Sequence, residues 1–212
     1  MQIEILNNYP SEYLKQIGDL DNTTISHTQE WCNFLERVFN KNSHYILALE
    51  NNHPIFFLPF IKKRRLGLNK QNISLPLSYK IGPAYSSKYK DKLQEIYRYI
   101  KNQGNFEIHE EINSKYFNKK TTSKITTLNL KKFDNKEQIF ENFSKSSIQR
   151  KVAKAKENGV VVKKENKLEQ FKIFEEMQNR TRHKQGSPAY PNGFFKKMFE
   201  EFKETNYLNL HL

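Results

Sequence analysis

The sequence is poorest in cysteine, with Cys32 alone among 212 residues. A single thiol excludes an internal disulfide and fits a reducing, cytoplasmic compartment. Cys32 follows Trp31 in an amphipathic run, so we read it as a buried structural thiol and not a nucleophile. Glycine is also scarce, at seven residues, and none builds GxGxxG or the GxxxxGK loop. Without those turns, dinucleotide and P-loop nucleotide binding are disfavoured. No serine occupies a GxSxG elbow, which removes the sequence support for a hydrolase triad. His27, His44, His53, His109, His183 and His211 show no metal-ligand spacing with cysteine or acidic residues, so no metal site is expected. The opening MQIEILNNYPSE has no basic segment leading into an apolar run, so no secretory signal is expected. No apolar run approaches membrane-spanning length. Acidic side chains are outnumbered, 23 against 36 Lys and Arg, for a formal net charge of +13. Charge of that sign attracts phosphates in nucleic acids, nucleotide sugars or lipid headgroups, and it also simply solubilises.

What the chain does have is aromatic: 16 Phe and 11 Tyr supply the area that a 36% hydrophobic content would otherwise lack. Met1 to Leu6 alternates as an opening strand, and Trp31, Phe34, Leu35 and Val38 mark one face of a helix starting at Thr28. HYILALENNHPIFFLPFIKKRR reads as a hairpin turning at Asn51-Asn52, with Pro59 pointing to an edge strand or a bulge. Lys62 to Arg65 reads as a solvated loop. Ile73 to Leu77, Asn105 to His109 and Lys124 to Leu130 read as short strands. Leu93, Ile96, Tyr97 and Ile100 define a helix between them, closed by Gly104. Asp134 with Glu137 reads as a capping box. Strands and helices alternate while most strands connect by hairpins, which predicts a mixed α/β or α+β sheet.

The most informative stretch is FSKSSIQRKVAKAKENGVVV. Ser144 or Ser146 offers an N-cap, Arg150 and Lys154 share one basic face, and Asn158-Gly159 stops the helix. Val160 to Val162 then reads as strand. Further on, Leu168, Phe171, Phe174 and Met177 form a helical stripe that leads into RTRHKQGSPAYP. Arg180, Arg182 and Lys184 are cations at a helix C-terminus, which the helix dipole favours. They could also join Arg150 and Lys154 in clamping a pyrophosphate, since an Arg fork donates two parallel bonds to phosphate. Tyr79, Tyr85 and Tyr190, near loops, could stack on a sugar or base, although solvent-capped core packing is the commoner role for such residues.

Taken in order, TQEWCNFLERVF, LALENNHPIFFLPF, SLPLSYKIGPAY, SKSSIQRKVAKAKENGVVV and NRTRHKQGSPAYPNGFFKKMFEEF resemble the FemAB-like proteins, tandem GNAT-fold acyltransferases. The resemblance covers nearly the whole chain. It implies a first GNAT-like domain over 1–166, including the basic helix, and the start of a second over 167–212. It implies acyl or aminoacyl transfer to an amine in cell-envelope, peptidoglycan or surface-polysaccharide synthesis. The donor would be aminoacyl-tRNA or acyl-CoA, with no permanently bound cofactor. The acceptor would be nucleotide-linked or lipid-linked and phosphate-bearing, bound by Arg150, Lys154, Tyr79, Arg180, Arg182 and Lys184. Transfer RNA and a membrane face are the further partners implied.

The chain departs from the family pattern in places. Gln149 precedes Arg150 where a second Arg is usual, and Leu35-Glu36 stands where precursor-binding members carry a Lys after the Trp. The helical hairpin of tRNA-using members has no counterpart, and neither does the CoA-binding Gln/Arg-x-x-Gly-x-Gly/Ala pattern. No general base is assignable. The chain reads as an N-terminal fragment, expected to be catalytically silent alone and to associate through the region after Lys167. The alternatives are CoA-dependent N-acetylation of an amino sugar, a non-catalytic basic nucleic-acid-binding module resting on charge alone, and an inactive substrate-binding remnant.

Overall fold

The computed structural model describes residues 1–64, 70–77, 82–108, 114–117 and 128–211. In chain order its elements are β1 (Gln2–Leu6), α1 (Leu14–Gly18), α2 (Gln29–Phe39), β2 (Ser43–Glu50), β3 (His53–Arg64), β4 (Lys70–Ser74) and β5 (Ala84–Tyr85). They continue as α3 (Leu93–Asn102), β6 (Phe106–Glu107), α4 (Lys136–Glu141), α5 (Arg150–Glu157), β7 (Lys164–Glu165), α6 (Leu168–Lys184), α7 (Phe194–Phe202) and β8 (Leu210–His211). The expected mixed α/β class is what the fold shows. The chain packs as two compact units, a larger one of Met1–Lys119 with Asn166–Leu208 and a smaller one of Lys120–Glu165 with Asn209–Leu212.

The larger unit is built on a sheet ordered β1-β2-β3-β4-β6, with β5 also paired to β3. All pairs are antiparallel except β4 with β6. The hairpin at its centre turns where the sequence places it. Asn51 and Asn52 have φ of 50° and 61°, the left-handed pair that a two-residue hairpin turn requires and that Asn tolerates. Pro59 does not mark an edge, because β3 is flanked on both sides. The proline is accommodated differently: Phe56 and Phe57 pair with β5 and Phe60 to Arg64 pair with β4. Pro59 lies in the interval between them, where its missing N–H deprives no third strand of a bond. A register shift does occur, between Ala48 and Leu49, and it brings Ile55 and Phe56 together into the core.

Alternation along the strands divides the core in two. Ile46, Ala48, Phe56, Leu58 and Phe60 face Ile96, Tyr97 and Ile100 of α3. Tyr45 and Phe57 stack at 5.8 Å on the other face, with Tyr9 edge-on to both. On that side Cys32 of α2 is buried, and burial pushes its thiol's pKa well up. Cys32 is thus inert and structural, as its position beside Trp31 suggests.

Helix α2 begins where expected, with Thr28 Oγ1 accepting from Trp31 N–H, and its outer side carries α7. Phe34, fully buried, meets the rings of Phe194 at 5.1 Å and Phe202 at 6.1 Å. A polar rim closes the contact. Arg37 pairs with Glu200 and Glu201, Asn33 donates to Glu201 at 3.0 Å, and Lys197 donates to the Arg37 carbonyl at 2.9 Å. Helices α6 and α7 lie in the same compact unit as β1 to β6.

Several local expectations shift. Lys62 to Arg64 belong to β3 instead of a loop, and Arg65 lies outside the described residues. The strand placed at Ile73 to Leu77 is β4, which ends at Ser74. Of Asn105 to His109 only Phe106 and Glu107 are strand, and His109 lies outside the described residues. Of Lys124 to Leu130 the first four residues lie outside them too, while Leu130 opens a 3-10 turn. The N-cap of α4 is Asn135, whose side chain accepts from Gln138 N–H at 2.9 Å, so the capping arrangement sits one residue later than Asp134. Met177 does not continue the buried stripe of α6; it is 55% exposed, whereas Phe171 is buried.

Truncating Phe34 should separate α7 from α2. We expect Phe34→Ala to destabilise the protein by about 3–5 kcal/mol in urea unfolding, the range for a fully buried aromatic side chain. Val161→Ala, on a side chain 70% exposed, should stay within about 0.5 kcal/mol of the parent.

Candidate functional site

The basic segment of the smaller unit is built locally. Ser144 Oγ accepts from Ser147 N–H at 3.3 Å and starts the segment, as the sequence suggests. One wide turn follows, Lys145–Gln149, in which Gln149 N–H reaches Ser144 O at 3.2 Å before α5 takes over. The stop is a Schellman arrangement. Val160 N–H bonds Ala155 O and Gly159 N–H bonds Lys156 O, each at 3.0 Å, and Gly159 takes φ of 73°. Arg150 and Lys154 lie one turn apart on the exposed surface of α5, and among the described residues neither has an ion-pair partner.

Gln149 has a role that the sequence pattern does not reveal. Its Nε2 lies 3.3 Å from Phe140 O, 3.1 Å from Glu141 O and 2.7 Å from Phe143 O. One carboxamide thus gathers the carbonyls at and just beyond the C-terminus of α4, where Phe140 O also accepts from Phe143 N–H at 3.1 Å, fixing α4 against the segment that carries Arg150. The signal in the sequence was the single break from a basic to a neutral side chain.

Val160 to Val162 correct an expectation. They are not strand, and their exposures are 58%, 70% and 67%. The Schellman wrap carries the chain off the helix first, and the ladder begins only at Lys164 and Glu165, which pair with His211 and Leu210. The terminal strand is correspondingly short, with Tyr207 and Leu208 outside it and Leu212 outside the described residues.

In the larger unit, α6 ends by the same device as α5. Ser187 N–H bonds Arg182 O at 2.9 Å and Gly186 N–H bonds His183 O at 3.1 Å, with Gly186 at φ of 65°. The three cations there do not form one cluster. Arg180 and Lys184, four apart, share an exposed face, whereas Arg182 is two residues away and turned to the following loop. Arg182 Nε donates to Pro188 O at 2.6 Å, and its guanidinium lies 4.4 Å from the centroid of Tyr190. Tyr190 in turn stacks on Phe194 at 4.7 Å. Arg182 therefore holds the GSPAYP loop in shape while its terminal nitrogens keep their donors. Tyr79 lies outside the described residues. Tyr85 is part of β5 and pairs with Phe56.

Gly82 is anchored by His27, whose sequence context offers no metal-ligand spacing. His27 is buried; its Nδ1 accepts from Thr24 N–H at 3.1 Å, which fixes the proton on Nε2 for donation to Gly82 O at 2.9 Å. Burial holds its pKa below the ordinary histidine value, more strongly than these hydrogen bonds raise it. His44 is shifted the same way, by burial and by Lys62.

Since the unfolded chain takes up protons on these histidines first, stability should be full above about pH 6.5 and fall as pH drops towards the folded-state values. His27→Gln should flatten the pH dependence of the urea midpoint while the share of His44 persists. Gln149→Ala should cost about 0.5–1.5 kcal/mol locally, visible as faster amide exchange over residues 136–149 while β2 and β3 keep their protection.

A sequence model of the FemAB family matches residues 88–211, over half of the chain. The matched stretch contains α4, the basic α5 and the α6–α7 pair with its arginine-braced loop. Among solved structures, the one described as the crystal structure of FemX superposes with a TM-score of 0.69 at 13% identity. The superposition covers 99% of this chain and 57% of that one, so the chain spans little more than half the length of that relative. A search of curated proteins found no match. By the family match, and in agreement with the fold, this chain belongs to the FemAB family.

Proposed function

We propose that the protein takes part in acyl transfer to an amine of a cell-envelope precursor, through GNAT-like architecture, with an aminoacyl-tRNA or acyl-CoA as donor. The observation that carries this reading is the FemAB family match across α5, α6 and the loop that Arg182 braces. In such a reaction the acceptor nitrogen forms a bond to the acyl carbonyl carbon. The donor oxygen or sulfur leaves with the electron pair, and the amine proton passes to solvent or to the leaving group. Positioning and stabilisation of the carbonyl oxygen supply most of the catalysis in this chemistry, and no side chain here is assigned as a general base.

Arg150 and Lys154 are proposed to bind the phosphates of a nucleotide-linked or lipid-linked acceptor. They are exposed, share one helix face and have no ion pair among the described residues, so binding phosphate breaks no ion pair there. Arg180 and Lys184 offer the same chemistry on α6, and Arg182 offers only its terminal nitrogens. Tyr79 keeps its proposed stacking role. Cytoplasmic placement belongs to the same proposal; among the described residues no helix is long and apolar enough to cross a membrane.

Arg150→Ala should weaken a nucleoside-diphosphate-linked acceptor by about 1.5–3 kcal/mol in calorimetry, the range for a hydrogen bond to a charged group. Unchanged affinity rules out the clamp. If aminoacyl-tRNA is the donor, the protein should bind it more tightly than the same tRNA uncharged. Equal binding of the two, falling steeply with salt, would mark a purely electrostatic contact instead.

A further inference from the structure

Apart from the acyl-transfer site, we propose a second binding site in the larger unit, for a monosaccharide carrying a phosphate or a carboxylate. It lies on the face of the sheet that packs against α3, just beyond the helix's C-terminus. Here a cavity of about 300 Å³ is lined by Ile5, Phe60 and Phe106 and by Lys62, Asn72, Gln103 and Asn105. That volume is at the lower end of small-molecule sites, which suits a single sugar ring.

The register builds it. Lys62 pairs directly with Asn72, and Asn72 with Phe106, so the three side chains form one row across β3, β4 and β6 on the same face. Phe60, two residues before Lys62, floors the cavity. The turn after α3 closes it, where Gly104 takes φ of 123° and Asn105 O accepts from Asn72 N–H at 2.8 Å. The floor is apolar and the rim is one ammonium and three carboxamides.

The charge selects an anion. Among the described residues no carboxylate lines the cavity, and Lys62 has no ion-pair partner. The nearest acids along the strands, Glu4 and Glu107, alternate to the opposite face, where Glu107 accepts from Gln71 at 2.7 Å. His44, packed at 5.5 Å on Phe60, is held towards its neutral form and so leaves the Lys62 charge as the dominant one. Each carboxamide both donates and accepts, which matches hydroxyl groups, and Ile5, half-buried where Phe60 and Phe106 are buried, offers the apolar surface that a sugar's C–H face can cover. The same run, Lys62 to Arg64, is otherwise unexplained by the acyl-transfer reading.

The test is a titration of the full 212-residue chain by ¹⁵N-resolved NMR with four probes: glucose 1-phosphate, glucuronate, glucose and inorganic phosphate. We expect saturable millimolar shifts of the Asn72, Gln103 and Asn105 side-chain amides with one or both of the acidic sugars. Which of the two binds more tightly distinguishes a phosphate from a carboxylate ligand. Glucose and phosphate alone should bind at least about ten-fold more weakly, the value of one charged hydrogen bond. Lys62→Gln should reduce acidic-sugar affinity by about the same factor with little change for glucose, and Lys62→Arg should retain most of it. The proposal is overturned if those amides do not move with any probe, if glucose binds as well as its acidic derivatives, or if Lys62→Gln lowers stability while binding is unchanged. Because no acyl donor enters the experiment, its failure leaves the acyl-transfer reading standing, and the converse holds.

Discussion

Strand β3 is the constraint on which the larger unit depends. It is paired with β2 from His53 to Ile61 and on its other side with β5 at Phe56 and Phe57 and then with β4 from Phe60, so its centre carries strands on both edges and packed side chains on both faces. Phe56, Leu58 and Phe60 pack towards α3, and Phe57 packs with Tyr45 and Tyr9 on the other side. A one-residue slip would exchange the two faces and expose an entire set of aromatic side chains. The left-handed Asn51-Asn52 turn and the register shift beside Pro54 hold that register. From it follow the seat of α2, and through Phe34 the docking of α7.

The sequence made the strongly periodic parts legible. The hairpin, α2 with its Thr28 cap, α3, the Ser144 start and the Gly159 stop all rest on local rules: period, cap and left-handed turn. Where it misled, a non-local partner decided. Pro59 looks like an edge signal because propensity cannot know that β5 and β4 leave a gap opposite it. Val160 to Val162 look like strand because β-branching is local information, whereas the ladder needs a partner, and β8 meets the chain only at Lys164. Gln149 reads as a lost arginine because its three carbonyl acceptors lie six to nine residues upstream. Arg182 reads as one of three equivalent cations until its bond to Pro188 separates it from Arg180 and Lys184.

The two basic helices share an economy of design. Each ends in a Schellman stop at a left-handed glycine, so cations in the last turns sit where the helix dipole favours them and where a phosphate could reach them. In α5 the anchoring is done by a neutral side chain, which leaves Arg150 and Lys154 free. In α6 it is done by an arginine that also braces the loop ahead of α7. Family membership is established by the match over residues 88–211, and the chemistry assigned to these cations is the part that experiment must decide.

The most direct measurement is product analysis of acyl transfer. The protein would be incubated with aminoacyl-tRNA or acyl-CoA and amine-bearing envelope precursors, with the products resolved by mass. The account predicts an acceptor heavier by one acyl group, with release of free tRNA or CoA, and a lower yield for Arg150→Ala. Donor hydrolysis without acylated acceptor, across both donor classes, would contradict it.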